Sequence, residues 1–261
     1  MQVRSGDTEI YYEVRGDGPD LVLLHPFPAH HGIWTPIADM LAGRYRVITP
    51  DLRGLGESAP GDGPASMAKH GNDLLRVCLD AGVQKAVFSG NSIGGYILFE
   101  FWRRFRERVS GLILVDTKAA PDTEDARKTR LASADDVLKR GTEPFIDAQL
   151  PKLLGESTHR NRPDRVQEAK RMMLRASAAG IAAVLRGMAE RPDSTPTLAT
   201  INVPTLVIVG EEDVITPVAE MEKIHQAIRG SVMRRIAMAG HYGPFEQPGE
   251  CHKIFREMLK R

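Results

Sequence analysis

Ala86-Val87-Phe88-Ser89-Gly90-Asn91-Ser92-Ile93-Gly94-Gly95-Tyr96-Ile97-Leu98-Phe99 is the stretch from which the fold is read. Ala86–Gly90 has the composition of a buried strand, and Tyr96 to Trp102 has helical spacing. Between them, Gly90-Asn91-Ser92-Ile93-Gly94 matches the Gly-x-Ser-x-Gly turn that holds a serine on a sharp strand-to-helix corner. Small residues on both sides let the two backbones approach. Five letters recur by chance, so the flanking strand and helix give the motif its weight.

The same alternation continues outward. Strands are predicted at Glu9–Val14, Asp20–His25, Arg44–Thr49, Gly111–Val115, Thr205–Val209 and Met233–Met238. Leu21-Val22-Leu23-Leu24 and Leu206-Val207-Ile208-Val209 are unbroken apolar runs, the mark of strands covered on both faces. Thr35-Pro36 and Thr216-Pro217 read as helix starts, each threonine as cap, and Met67–Asp80 has one apolar face ending before Gly82. Strands alternating with helices predict an α/β fold with a mostly parallel sheet. Between Lys118 and Pro196 no strand pattern appears. Four helices are predicted there, Thr123–Lys139, Thr142–Leu154, Pro163–Ala176 and Ala178–Glu190, between proline-rich edges. The expected organisation is a core of residues 1–117 and 197–261 interrupted by an all-helical cap, 118–196.

A serine hydroxyl is a weak nucleophile; it needs a base, and the base needs an orienting group. Behind the sixth predicted strand comes Gly210-Glu211-Glu212-Asp213, and behind the last comes Ala239-Gly240-His241-Tyr242-Gly243. Asp213 and His241 therefore fall at carboxyl ends of strands, where open α/β sheets carry their sites. The order Ser92, Asp213, His241 suits a serine–histidine–acid relay. Asp116, at the end of Leu112-Ile113-Leu114-Val115, and the neighbours Glu211 and Glu212 are rival acids.

In these motifs the chain resembles the α/β-hydrolase family, leaning towards small bacterial serine esterases and enol-lactonases. Asp51-Leu52-Arg53-Gly54-Leu55-Gly56-Glu57-Ser58 is similar to the family's DxRGxGxS loop, and Gly240-His241 is followed by Glu246 and Pro248 in the family pattern. The resemblance implies Ser92 as nucleophile, His241 as base and Asp213 as orienting acid, with Asp116 as a strand-end cap. It also puts His25-Pro26-Phe27-Pro28 at the oxyanion loop, with Pro26 where the family more often has glycine. Within Pro26-Phe27-Pro28 only Phe27 has a backbone N–H, because proline supplies none. Phe27 and Ile93 are thus the expected oxyanion donors. Phe27, Asn91, Phe145, Met172, Leu185, Ile215 and Tyr242 are the candidate substrate contacts, and the apolar cap residues suggest a moderately apolar substrate.

The bulk numbers narrow the alternatives. With Lys+Arg 35 against Asp+Glu 34 in 261 residues, no charge excess calls for nucleic acid or an acidic membrane. No apolar run approaches the roughly 18 residues of a membrane span. The N-terminus lacks a secretory apolar segment and only Cys78 and Cys251 are present, so a cytoplasmic location is expected. His25, His30 and His31 match no zinc spacing, so neither metal nor other cofactor is expected. Arg53 is expected to pair with Asp51. The function these features predict is hydrolysis of a small to medium carboxylic ester or lactone by a monomer or homodimer. Carbon–carbon bond hydrolysis of ring-cleavage products is the enzyme alternative, although Tyr242 stands where that branch usually has tryptophan. A non-turnover ligand receptor on the same fold is the alternative of another class.

Overall fold

The unbroken apolar runs of the sequence become the central strands, because only a strand with helices on both sides can bury every side chain. A computed structural model describes residues 1–259. Its strands are β1 (Gln2–Ser5), β2 (Thr8–Arg15), β3 (Asp20–Leu24), β4 (Arg46–Pro50), β5 (Ala86–Asn91), β6 (Val109–Val115), β7 (Thr205–Gly210) and β8 (Val232–Ile236). Among the described residues they form one sheet in the order β1-β2-β4-β3-β5-β6-β7-β8. β1 and β2 are antiparallel to their neighbours and the remaining pairs are parallel. Leu21, Val22, Leu23, Ile113 and Val207 are wholly buried. Each such side chain contributes about 1.5–3 kcal/mol over its exposed state.

The helices before the long excursion are α1 (Thr35–Leu41), α2 (Met67–Asp80) and α3 (Ile93–Phe105). Between β6 and β7 lie α4 (Glu124–Arg140), α5 (Thr142–Leu153), α6 (Glu156–Asn161), α7 (Pro163–Met173), α8 (Ala178–Ala189) and the short α9 (Thr195–Leu198). The chain ends through α10 (Val218–Ala227), α11 (Gly243–Glu246) and α12 (Pro248–Leu259). From β3 the chain steps outward to β4, then crosses back over β3 to β5. Right-handed crossovers therefore put α1 on one face and α2 and α3 on the other. α1 packs on α12 and α2 on α3, as two such layers require. The reversal separates the chain leaving β3 from the chain leaving β5, opening a crevice at their carboxyl ends.

Local chemistry moved several boundaries. Trp34, not Thr35, precedes the first residue of α1, and Thr216-Pro217 stays outside α10 with Pro217 extended. β1, a short alternating run, and α6 were absent from the sequence pattern. β8 stops at Ile236, and Met238 has positive φ (54°). Among the described residues no single helix is long and apolar enough to cross a membrane.

Candidate active site

The corner between β5 and α3 is built by close backbone approach. Ser92 has φ 55° and ψ −115°, a conformation that costs a non-glycine residue free energy. A Cβ on Gly90 would lie 2.4 Å from the backbone carbon of Gly94, so that position admits only hydrogen. The strained serine is tied down on both sides: its N–H donates to Val115 O at 2.9 Å, and Thr117 Oγ1 donates to its carbonyl at 2.7 Å. The result is a hydroxyl held above the carboxyl end of β5, at the positive end of α3.

His241, on the loop after β8, meets that hydroxyl. Ser92 Oγ donates to His241 Nε2 at 2.8 Å, and His241 Nδ1 donates to Asp213 Oδ2 at 2.8 Å. Asp213 is itself anchored: Oδ1 accepts from Ile215 N (2.7 Å) and Thr216 N (3.0 Å), and the Thr216 hydroxyl donates to Oδ2. Burial alone would raise the Asp213 pKa. The facing His241 and the hydrogen bonds from His241 and Thr216 outweigh it and hold the carboxyl down to about 2. This anchoring also explains why Thr216 cannot serve as a helix cap.

Glu211 is exposed, and the other two rival acids have partners of their own. Asp116 is fully buried at positive φ (42°), and its Oδ1 accepts from Gly210 N at 2.8 Å, bridging the ends of β6 and β7. Burial first, then the nearby Asp213 charge, pushes its pKa well above the ordinary carboxylate value. Glu212 turns away from the histidine to accept from Ser157 N at 2.8 Å and from Ser157 Oγ at 2.5 Å. Glu246, which sequence patterning noted only as a family position, ties the histidine loop to the helical insertion. It accepts from Gly240 N at 2.8 Å, Gly155 N at 2.7 Å and Thr158 Oγ1 at 2.6 Å.

Across the crevice, the loop after β3 is a tight turn closed by Ala29 N donating to Pro26 O at 3.0 Å. His25 is wholly buried beneath it, with Nδ1 3.0 Å from Pro26 O and Nε2 accepting from Leu52 N at 2.9 Å. Burial pushes the His25 pKa down to about 4, so the ring is neutral at pH 7. Tyr242 does not reach the cavity. Its hydroxyl donates to Phe27 O at 3.0 Å and so fixes the orientation of the Phe27 residue. Asn91 does not line the cavity either: buried, its side chain donates to Val115 O (3.3 Å) and His241 O (3.2 Å). Arg53 pairs with Asp73 (2.7 Å) and Asp7 (3.0 Å) rather than with Asp51.

A cavity of about 340 Å³ opens over Ser92 and His241. Phe27, Phe145, Leu185 and Ile215 line it as expected, together with Tyr96 and Met188. Phe27 and Phe145 meet edge to face with centroids 6.0 Å apart, joining the core loop to α5. Met172 is not among the lining residues and packs at the margin of the core. The insertion also brings Thr129, Arg130, Ser133, Gln149 and Lys152 to the wall, so the expectation of an apolar roof holds for only part of it. A helical stripe with a polar face toward a cavity has the same pattern as one facing water, and the sequence carries no signal to separate them. Away from this cavity, His30, His31 and Asp51 hold donor atoms within 4.8 Å of one another. Asp51 Oδ1 there already accepts from His31 N (2.7 Å) and lies 2.8 Å from His31 Nδ1.

A family model described as the alpha/beta hydrolase fold matches residues 19–248, and the chain belongs to that family. The 3-oxoadipate enol-lactonase 1 of Acinetobacter baylyi is 27% identical over 246 residues, covering 94% of this chain and 90% of the relative. A thermophilic esterase from Thermogutta terrifontis, solved with malate bound, is 39% identical with a TM-score of 0.97, covering 100% of this chain and 98% of the other. The enol-lactonase from Burkholderia xenovorans LB400 shares the fold, with a TM-score of 0.93 at 23% identity and full coverage of both chains.

Proposed function

We propose that the protein hydrolyses a small to medium carboxylic ester or lactone through an acyl-enzyme on Ser92, with no cofactor. The unbroken hydrogen-bond chain Ser92–His241–Asp213 at the cavity floor is the observation that carries this reading. As Ser92 Oγ bonds to the substrate carbonyl carbon, its proton passes to His241 Nε2. The ionised Asp213 keeps the other ring nitrogen protonated and stabilises the imidazolium. The carbonyl oxygen becomes an oxyanion facing the N–H groups of Phe27 and Ile93. Ile93 opens α3, so its N–H has no acceptor within the helix. Each such donor typically contributes about 10²–10³ in rate. When the carbon–oxygen bond breaks, His241 returns the proton to the leaving alkoxide. A water then gives its proton to His241, attacks the acyl carbon and releases the acid as Ser92 regains its hydrogen.

The named activities of the relatives, on an ester in one case and an enol-lactone in another, support the same bond class. In this reading, the segment 118–196 is a cap whose α5 and α8 side chains roof the acyl or alcohol portion. The test is turnover of a panel of esters and lactones graded in size by wild-type and Ser92→Ala protein. Turnover by the wild type alone is expected. A Ser92→Ala variant that keeps a tenth of wild-type kcat with its fold intact would refute the mechanism.

A further inference from the structure

The charged groups on the cavity wall are all of one sign. Arg130 on α4 and Lys152 on α5 line the cavity, and among the described residues no aspartate or glutamate lines it. Arg130 is fixed by Asp122, to which its Nε donates at 2.7 Å and Nη2 at 3.2 Å. Its remaining terminal nitrogen, Nη1, reaches only the thioether of Met188 at 3.7 Å, a weak acceptor that leaves donor capacity unspent. Asp122 does not neutralise it either, because the same carboxylate accepts from buried Arg191 at 2.6 Å. One carboxylate thus serves two guanidiniums. Arg191 in turn lies over the ring of Tyr96, 4.5 Å from its centroid, and Tyr96 also lines the cavity.

Lys152 has no ion-pair partner among the described residues, and the acids nearest it in sequence are engaged elsewhere. Asp147 and Glu143 on its own helix both face Lys170, at 2.6 and 3.5 Å. Glu156, one helical step further on, falls beyond the end of α5 and pairs with Arg160. Arg130, half-buried, shares its one carboxylate with Arg191, and Lys152, exposed to solvent at the same wall, has no counter-charge among the described residues. A neutral ester would therefore leave the net positive charge of this wall unmatched. Resting on the hydrolase reading above, we infer that the substrate carries a carboxylate remote from the reacting carbonyl, seated between the Lys152 ammonium and the free edge of Arg130. The polar wall then fixes which end of the substrate points away from Ser92, and Phe27, Phe145 and Leu185 cover the apolar segment between.

The test compares methyl pentanoate with monomethyl glutarate, which differ by a carboxylate in place of the terminal methyl. The wild type should favour monomethyl glutarate in kcat/KM by about 10- to 100-fold, the range of a charge-assisted hydrogen bond. Lys152→Glu should abolish or invert that ratio, Lys152→Arg should keep most of it, and rising ionic strength should shrink it. A wild-type ratio near one, or a ratio that Lys152→Glu does not move, would overturn the inference while leaving ester hydrolysis intact. If neither ester is cleaved, the hydrolase reading is decided by the wider ester and lactone panel, and calorimetric titration of glutarate decides the anion seat. Binding to the wild type that Lys152→Glu weakens at least tenfold supports it; no binding to the wild type overturns it.

Discussion

The floor and the roof of the cavity are built on opposite principles. On the floor, nearly every polar group has a fixed partner. Ser92 is held by Val115 and Thr117, Asp213 by Ile215 and Thr216, the Phe27 loop by Tyr242, and Gly240 by Glu246. The roof is made of helix side chains that meet the cavity by helical periodicity; Arg130 is braced by Asp122 yet keeps one terminal nitrogen on only a thioether, and Lys152 has no ion-pair partner among the described residues. A floor so constrained can preorganise chemistry, whereas a roof with few polar ties to the floor can change substrate preference without disturbing it. Substitutions should therefore divide sharply by region.

The largest effects are expected on the floor. Ser92→Ala and His241→Ala should each lower kcat by about 10⁴–10⁶, and the double variant should lose little more, because the two act as one unit. Additive losses in the double variant, measured by steady-state kinetics, would break that picture. Next comes the acid. Asp213→Asn should cost about 10⁴ in kcat with KM barely changed, since a mis-set histidine tautomer cannot accept the serine proton. Asp116→Asn should change kcat by less than about tenfold. The reverse ranking would move the catalytic acid to the end of β6.

Roof variants should be milder and of a different kind. Phe145→Ala and Leu185→Ala remove contacts shared by ground and transition states, so KM should rise more than kcat falls. A shift of about 10- to 200-fold in kcat/KM between acyl lengths is the ceiling. Met172→Ala, whose side chain lies outside the cavity, should leave the chain-length profile unchanged. If Phe145→Ala and Leu185→Ala also keep the wild-type profile, the insertion does not set specificity.

The smallest effect sharpens the contrast between the two buried aspartates. The carboxyl of Asp213 is depressed from 3.8 to about 2, so its stabilising contribution is present above pH 3.8 and is lost as the pH falls towards 2. Asp116 is shifted the opposite way: its folded pKa lies well above the unfolded value of 3.8, so folding favours the protonated carboxyl. Its contribution is intact below pH 3.8 and declines as pH rises. Asp116→Asn should therefore raise Tm at pH 7 relative to wild type by a few degrees, a gap that closes by pH 4. Thermal melts across that range check the sign, and a gap that widens on acidification would contradict it.

The floor was legible in the sequence because its parts are local. A strand, a glycine-flanked serine and a helix occupy consecutive residues, and Asp213 and His241 each follow a recognisable strand. What sequence could not show were pairings across the chain. Asn91 stands beside Ser92 yet spends its amide on Val115 and His241, and Tyr242 beside His241 spends its hydroxyl on Phe27. Arg53 reaches back to Asp7 in the turn between β1 and β2 and forward to Asp73 on α2. The polar stripe of α4 escaped for a different reason: apolar periodicity finds what a helix buries in protein, and Arg130 faces a cavity.

The central claim is a covalent acyl intermediate on Ser92, and intact-protein mass spectrometry tests it most directly. Rapid acid quenching during turnover of an activated ester should reveal one added acyl group per chain. Peptide mapping should place it on Ser92, and Ser92→Ala should remain unlabelled. Full turnover with no adduct, or an adduct mapped to another residue while Ser92→Ala stays active, would contradict the account.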